Sequence, residues 1–159
     1  GAPQAAVASP ASPTLHTFPA ATMGGVKVNS GVTQTRPPGS YTAVTVINGG
    51  TLILTAGDYF FQSLIINSAS TVRATPTTRV FVRDSLVFKA PVRAPSGTAL
   101  QSIFLGFSGT TLALAAPFNG SVVAPSANIM FGTSGWLTYS GSFFGRILEL
   151  KPVSTLVCN

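Results

Sequence analysis

Short phrases of this sequence return at intervals close to 20 residues, and few architectures accept that rhythm. Gly39-Ser40-Tyr41 returns as Gly57-Asp58-Tyr59. Ile47-Asn48 returns as Ile66-Asn67, and each precedes a Thr and an apolar residue (Thr51-Leu52, Thr71-Val72). Ser63-Leu64 returns as Ser85-Leu86, and Val72-Arg73-Ala74 as Val92-Arg93-Ala94. Gly120-Ser121 before Val122-Val123 returns as Gly141-Ser142 before Phe143-Phe144. The intervals span 18 to 22 residues. A near-constant period marks stacked units, each of which buries its apolar side only against its neighbours.

What fills the period is β structure. From Val26 onward, runs of three to five residues such as Val44–Ile47, Thr51–Leu54, Leu64–Asn67, Ile103–Phe107, Asn128–Phe131 and Ile147–Leu150 alternate with Gly-Gly, Ala-Pro and Ser-Gly turns. No window sustains the i, i+3, i+4, i+7 spacing of a helix between cap signals. Leucine-rich repeats share the period, but their Leu/Asn consensus is absent. A β-sandwich gives no reason for phrases to recur. The expected fold is an all-β parallel β-helix (solenoid) of about six coils, with ~20 residues per coil and ~4.8 Å between coils.

Composition agrees. Only 9 Lys or Arg and 3 Asp or Glu occur in 159 residues, too few to clothe the polar faces of exposed helices, and 45% of residues are hydrophobic, too many for charged disorder. The net charge of +6 reflects missing acids more than clustered bases. Lys27, Arg36, Arg73, Arg79, Arg83, Lys89, Arg93, Arg146 and Lys151 form no basic run, so a nucleic-acid partner is not expected. Residues 94–145 are uncharged, but Pro95, Pro117 and Pro125 interrupt them, and no transmembrane segment is expected.

Residues 1–25 are rich in Ala, Pro and Ser and read as an extended arm or linker; residues 26–159 read as a single β-helix domain. Leu15 and Phe18 are the apolar side chains the arm offers for assembly. Cys158 is the only cysteine, so an intrachain disulfide is impossible. A bond between subunits, or a small hydrophobe closing a strand, are its two readings. No secretory leader is expected within residues 1–25, and Gly1 is compatible either with one already removed or with a residue left by cloning.

Chemistry-bearing residues are sparse. Asp58 and Asp84 lie 26 residues apart, out of step with the coil, so they are not expected to stack as a glycosidase pair. Local hydrogen bonding to turn backbone is their simpler role. Glu149 alternates with Leu148 and Leu150 and is expected to face solvent. His16 is isolated in the arm, the serines lack a histidine base within the repeat, and Lys27, Lys89 and Lys151 sit in no catalytic motif. No catalytic residue, cofactor or metal is expected. Arg73 and Arg93 should stand on adjacent coils, where an anion, a carboxylate or splaying into solvent must relieve their repulsion. An anionic polysaccharide is one such anion. Trp136 and the pairs Phe60-Phe61 and Phe143-Phe144 are candidates for a sugar-binding platform, since adjacent residues on a strand face opposite ways. Asn119-Gly120-Ser121 has the form of a glycosylation sequon but reads more simply as a turn.

The phrases Gly57-Asp58-Tyr59 to Ser63-Leu64, Arg79 to Leu86, Phe104-Leu105-Gly106, Ala116 to Gly120, Ala124 to Asn128 and Gly141 to Leu150 also resemble a known group. They are similar to secreted bacterial β-helical domains, largely uncharacterised surface or matrix proteins abundant in myxobacteria, and to extracellular domains with interchangeable anchors. The resemblance covers roughly residues 38–157. It implies a right-handed parallel β-helix and an extracellular setting, and it carries over no catalytic residue. The chain departs from the group where Cys158 stands in a segment that often bears a histidine. The expectation is a non-enzymatic, extracellular structural protein that self-associates into a filament, sheath or matrix through its solenoid ends and arm. The alternative is a surface carbohydrate-binding or adhesion module that uses the stacked arginines and exposed aromatics.

Overall fold

A computed structural model describes residues 17–132 and 135–158. Leu15 and His16 lie outside the described residues. Within them the chain forms only strands: β1 (Val26–Val28), β2 (Thr33–Arg36), β3 (Gly39–Val46), β4 (Thr51–Leu54), β5 (Gly57–Ile66), β6 (Thr71–Ala74) and β7 (Thr78–Phe88) come first. β8 (Val92–Arg93), β9 (Ile103–Phe107), β10 (Thr111–Leu114), β11 (Phe118–Phe131), β12 (Leu137–Leu150) and β13 (Ser154–Cys158) follow. All pairings between them are parallel. One sheet runs β1-β3-β5-β7-β10-β11-β12-β13, with β9 between β7 and β11; the other runs β2-β4-β6-β8. The fold is a parallel β-solenoid of about seven turns, ~20 residues apart, one turn more than the repeats alone suggest.

The core is a set of apolar columns. Val28, Val46, Ile66, Phe88, Leu114, Phe131 and Leu150 stand in register one above another. Leu112, Ile129 and Leu148 form part of the next column. Because side chains alternate across a strand, each apolar residue at every second position feeds one column.

The long strands turn a corner. In β5, inward Phe61 and Leu64 are separated by two partly exposed residues, Gln62 and Ser63, where the register against β7 also shifts. In β11 a shift falls between Ala124 and Asn128. Breaking the alternation in this way bends a strand around the core. Runs read as separate strands in the sequence, such as Tyr59–Phe61 and Leu64–Asn67, are therefore largely two arms of one bent strand.

The described part of the arm lies on the chain's own first coils. Met23 bridges Tyr41 in parallel, Ser40 donates its hydroxyl hydrogen to the Pro19 carbonyl at 3.2 Å, and the Phe18 ring meets Phe60 edge-on at 6.0 Å.

Candidate functional site

The two ends of the solenoid differ in how their columns are closed. Val28 begins the longest column and is fully buried, whereas Leu150 ends it and is 47% exposed. At the beginning of the smaller sheet, Gln34 and Arg36 stand in register with buried Leu52 and Leu54, so a polar pair covers the column. Arg36 Nη2 donates to Gln34 Oε1 at 2.5 Å, and the Arg36 carbonyl accepts from the Tyr59 hydroxyl at 2.7 Å. That end is closed by groups that water also satisfies.

The far edge of the smaller sheet is closed by backbone. After β8 the chain folds back on itself: Arg93 bridges Leu100 antiparallel, and the Gln101 amide donates to the Val92 carbonyl at 3.0 Å. Arg73 and Arg93 are in register as expected, and both serve this turn. Arg73 Nη1 donates to the Pro95 carbonyl at 3.0 Å, and Arg93 Nη1 donates to the Thr98 carbonyl. Carbonyl dipoles of the chain thus contribute to relieving the repulsion of the stacked cations.

The far edge of the larger sheet is open over much of its length. β13 pairs with β12 only from Leu137 to Gly141. Beyond it, Phe144, Ile147, Leu148 and Leu150 are large exposed apolar residues, as are Trp136, Val153 and Val157 close by in sequence. Val32 is the single large exposed hydrophobe away from this region among the described residues. Leu148 and Leu150 are in register with buried Ile129 and Phe131, so they are core positions that nothing in the described structure covers. Backbone alternation adds to this. The Lys151 amide donates to the Phe131 carbonyl at 3.0 Å. Residues 147 and 149 therefore also bond toward β11, and Leu148 and Leu150 aim their N–H and C=O groups off the rim. Cys158, free and exposed, sits at the end of β13 opposite Gly141.

The other candidates are dispersed. Asp58 takes two 2.6 Å hydrogen bonds from Arg79, Asp84 pairs with Arg83 at 2.9 Å, and Glu149 pairs with Lys151. The Arg83 guanidinium holds the Asp84 carboxyl below its ordinary range. Among the described residues no three His, Cys, Asp or Glu side chains gather as metal ligands would. Phe60 lies between Phe18 and Phe81, with ring centroids 6.0 and 4.9 Å away, and Phe81 continues to Phe104 at 5.5 Å. This external ladder is filled by its own members, so Phe60 offers no open platform. Trp136, 83% exposed, does remain open.

A void inside the coils holds about 20 Å³ and is lined by Leu52, Leu64, Val72, Val80, Leu86 and other apolar residues, which give a water no hydrogen-bond partner. No helix of the described residues is long and apolar enough to cross a membrane, which says nothing of β-barrel spans. Compared with family models, curated proteins and solved structures, the chain has no match.

The signal for the rim was in the sequence as Ile147-Leu148-Glu149-Leu150. It reads as an ordinary alternating strand, and only its place as the last long strand described makes its inward leucines exposed.

Proposed function

We propose that this protein is a non-enzymatic structural subunit of the cell exterior that self-associates through its solenoid. The reading rests on one observation: Leu148 and Leu150 continue core columns of the larger sheet, and no described residue covers them, whereas the smaller sheet's columns begin under the polar Gln34–Arg36 pair. Exposed strand edges template pairing, and contiguous apolar surface of this kind characterises interaction sites. The pairing of all three carboxylates with cations supports a structural over a hydrolytic role. The extracellular setting rests on the resemblance carried by residues 38–157. Size-exclusion chromatography with light scattering tests the reading: mass should rise above one chain as concentration increases. A single chain at every concentration would refute it.

A second reading, a carbohydrate-binding surface module, is favoured by Trp136, whose open indole suits stacking on a sugar ring. A glycan array should then show binding that Trp136→Ala abolishes. If Arg73→Ala and Arg93→Ala abolish it while Trp136→Ala does not, the site lies on the arginines instead.

A further inference from the structure

We infer that the outer face of the solenoid carries a groove that binds a neutral saccharide, seated on Phe104 between the Pro76–Thr77 turn and Ser121. The site lies in the middle of the solenoid, with paired coils on both sides of it. It shares its ligand class with the carbohydrate reading above but does not depend on Trp136.

The groove crosses three successive coils. Arg79 of β7, Phe104 of β9 and Ser121 of β11 stand in register, ~4.8 Å apart from coil to coil. Pro76 and Thr77, in the turn before β7, and Ser102, just before β9, also line it. It holds about 450 Å³, a volume ordinary for a small-molecule site. Among the described residues Phe104 is the last ring of the external ladder. Phe81 supports it at 5.5 Å, but the next coil sets Ser121 beside it rather than another aromatic, and it stays partly exposed.

What can fill the groove follows from what lines it. An added peptide strand finds no edge, because around the groove β7, β9 and β11 are each paired on both sides. An anion finds no unbalanced cation. The charged side chain of the lining, Arg79, donates its Nε and Nη2 hydrogens to Asp58 at 2.6 Å. An apolar ligand would strip water from the hydroxyls of Thr77, Ser102 and Ser121 and return no hydrogen bond. A neutral saccharide meets each requirement. Its C–H face suits the ring of Phe104, and its hydroxyls suit the three side-chain hydroxyls. Arg79 Nη1, which Asp58 does not use, supplies a further donor. The rise between coils is comparable to the length of one sugar ring, so a short chain laid along the solenoid axis fits the groove.

Titration calorimetry on the full chain tests this with neutral cello-, xylo-, malto- and N-acetylchito-oligosaccharides, and with oligogalacturonate as the acidic control. At least one neutral series should bind with a Kd of about 1 mM or tighter, and oligogalacturonate should not. Phe104→Ala should weaken binding at least about tenfold, Phe104→Trp should preserve it, and Trp136→Ala should leave it unchanged. Ser102→Ala and Ser121→Ala, which remove only a hydroxyl from the surface, should each weaken it several-fold at an unchanged melting temperature. Asp58→Asn frees the Arg79 guanidinium and should admit oligogalacturonate. Deleting residues 1–16 should change nothing; if binding appears only then, the arm fills the groove and the proposal falls. Neutral binding that survives Phe104→Ala but is lost in Trp136→Ala would overturn the groove and leave the carbohydrate reading standing. Wild-type binding of oligogalacturonate as tight as that of the neutral chains would also overturn it. No neutral binding at all would overturn both.

Discussion

Three tyrosine hydroxyls, the only ones in the chain, are each anchored inside the solenoid on a backbone carbonyl. Tyr41 donates to Pro37 at 2.6 Å, Tyr59 to Arg36 at 2.7 Å, and Tyr139 to Leu114 at 2.5 Å. Burial pushes all three phenols above their ordinary value of 10.0. The folded chain therefore keeps protons that the unfolded chain releases. Their contribution to stability is complete below pH 10 and is lost as pH rises from there through the folded values. Phenolate absorbance should stay low at pH 10 and then appear together with loss of β circular dichroism; three independent titrations near pH 10 in a folded protein would contradict it. A second prediction concerns Gly141. Its φ is +134°, and a Cβ there would lie 1.7 Å from the Gly120 carbonyl oxygen of the coil below. Gly141→Ala should cost about 3 kcal/mol or more in urea unfolding. Gly135→Ala, with φ +82° but open space around it, should cost only about 1–2 kcal/mol.

At the scale of elements, the turn after β8 is held by side chains of two successive coils. Arg73 comes from β6 and Arg93 from β8, and both bind carbonyls between residues 95 and 98. Replacing either by Ala should speed proteolytic cleavage within 95–99 several-fold while shifting the melting temperature little, since the turn buries few apolar side chains. Equal cleavage in wild type and variants would show that the backbone pairs alone hold the turn. The same elements show what the sequence made legible. Thr51-Leu52 over Thr71-Val72, Ser63-Leu64 over Ser85-Leu86, Val72-Arg73 over Val92-Arg93 and Gly120-Ser121 over Gly141-Ser142 are all in register. They recur because a stacked position faces the same space in each coil. Gly39-Ser40-Tyr41 and Gly57-Asp58-Tyr59 are not in register, since Gly39 pairs with Tyr59. What they share is local: a tyrosine whose hydroxyl reaches the carbonyl four residues back, at Pro37 or Thr55. Ile47 and Ile66 echo each other one residue out of step, since Val46 pairs with Ile66, and a slip of one reverses the face. The period was therefore legible where stacking imposes it and misleading where a local turn does. The corners were not legible, because a pair such as Gln62-Ser63 looks like any polar break between strands.

For the whole molecule, the asymmetry of the ends should appear as a gradient of local stability. In a solenoid each coil is held mainly by its two neighbours, so an end coil with one covered face opens more readily than a coil in the middle. The beginning is compensated, because segment 17–28 and the Gln34–Arg36 pair cover it and Val28 is fully buried. The rim is not: β12 beyond Gly141 has β11 on one side and no strand of the described residues on the other. Amide hydrogen exchange on dilute protein should accordingly be slow from β3 through β11 and fastest in β13 and the last residues of β12. Within β12 it should alternate. The amides of residues 147 and 149, bonded toward β11, should be protected, and those of Leu148 and Leu150, aimed off the rim, should exchange freely. Raising the concentration should protect Leu148 and Leu150 and leave β3 to β7 unchanged. If protection is instead uniform along the chain, or rises first near residues 17–28, the open end of this solenoid is not where its copies meet.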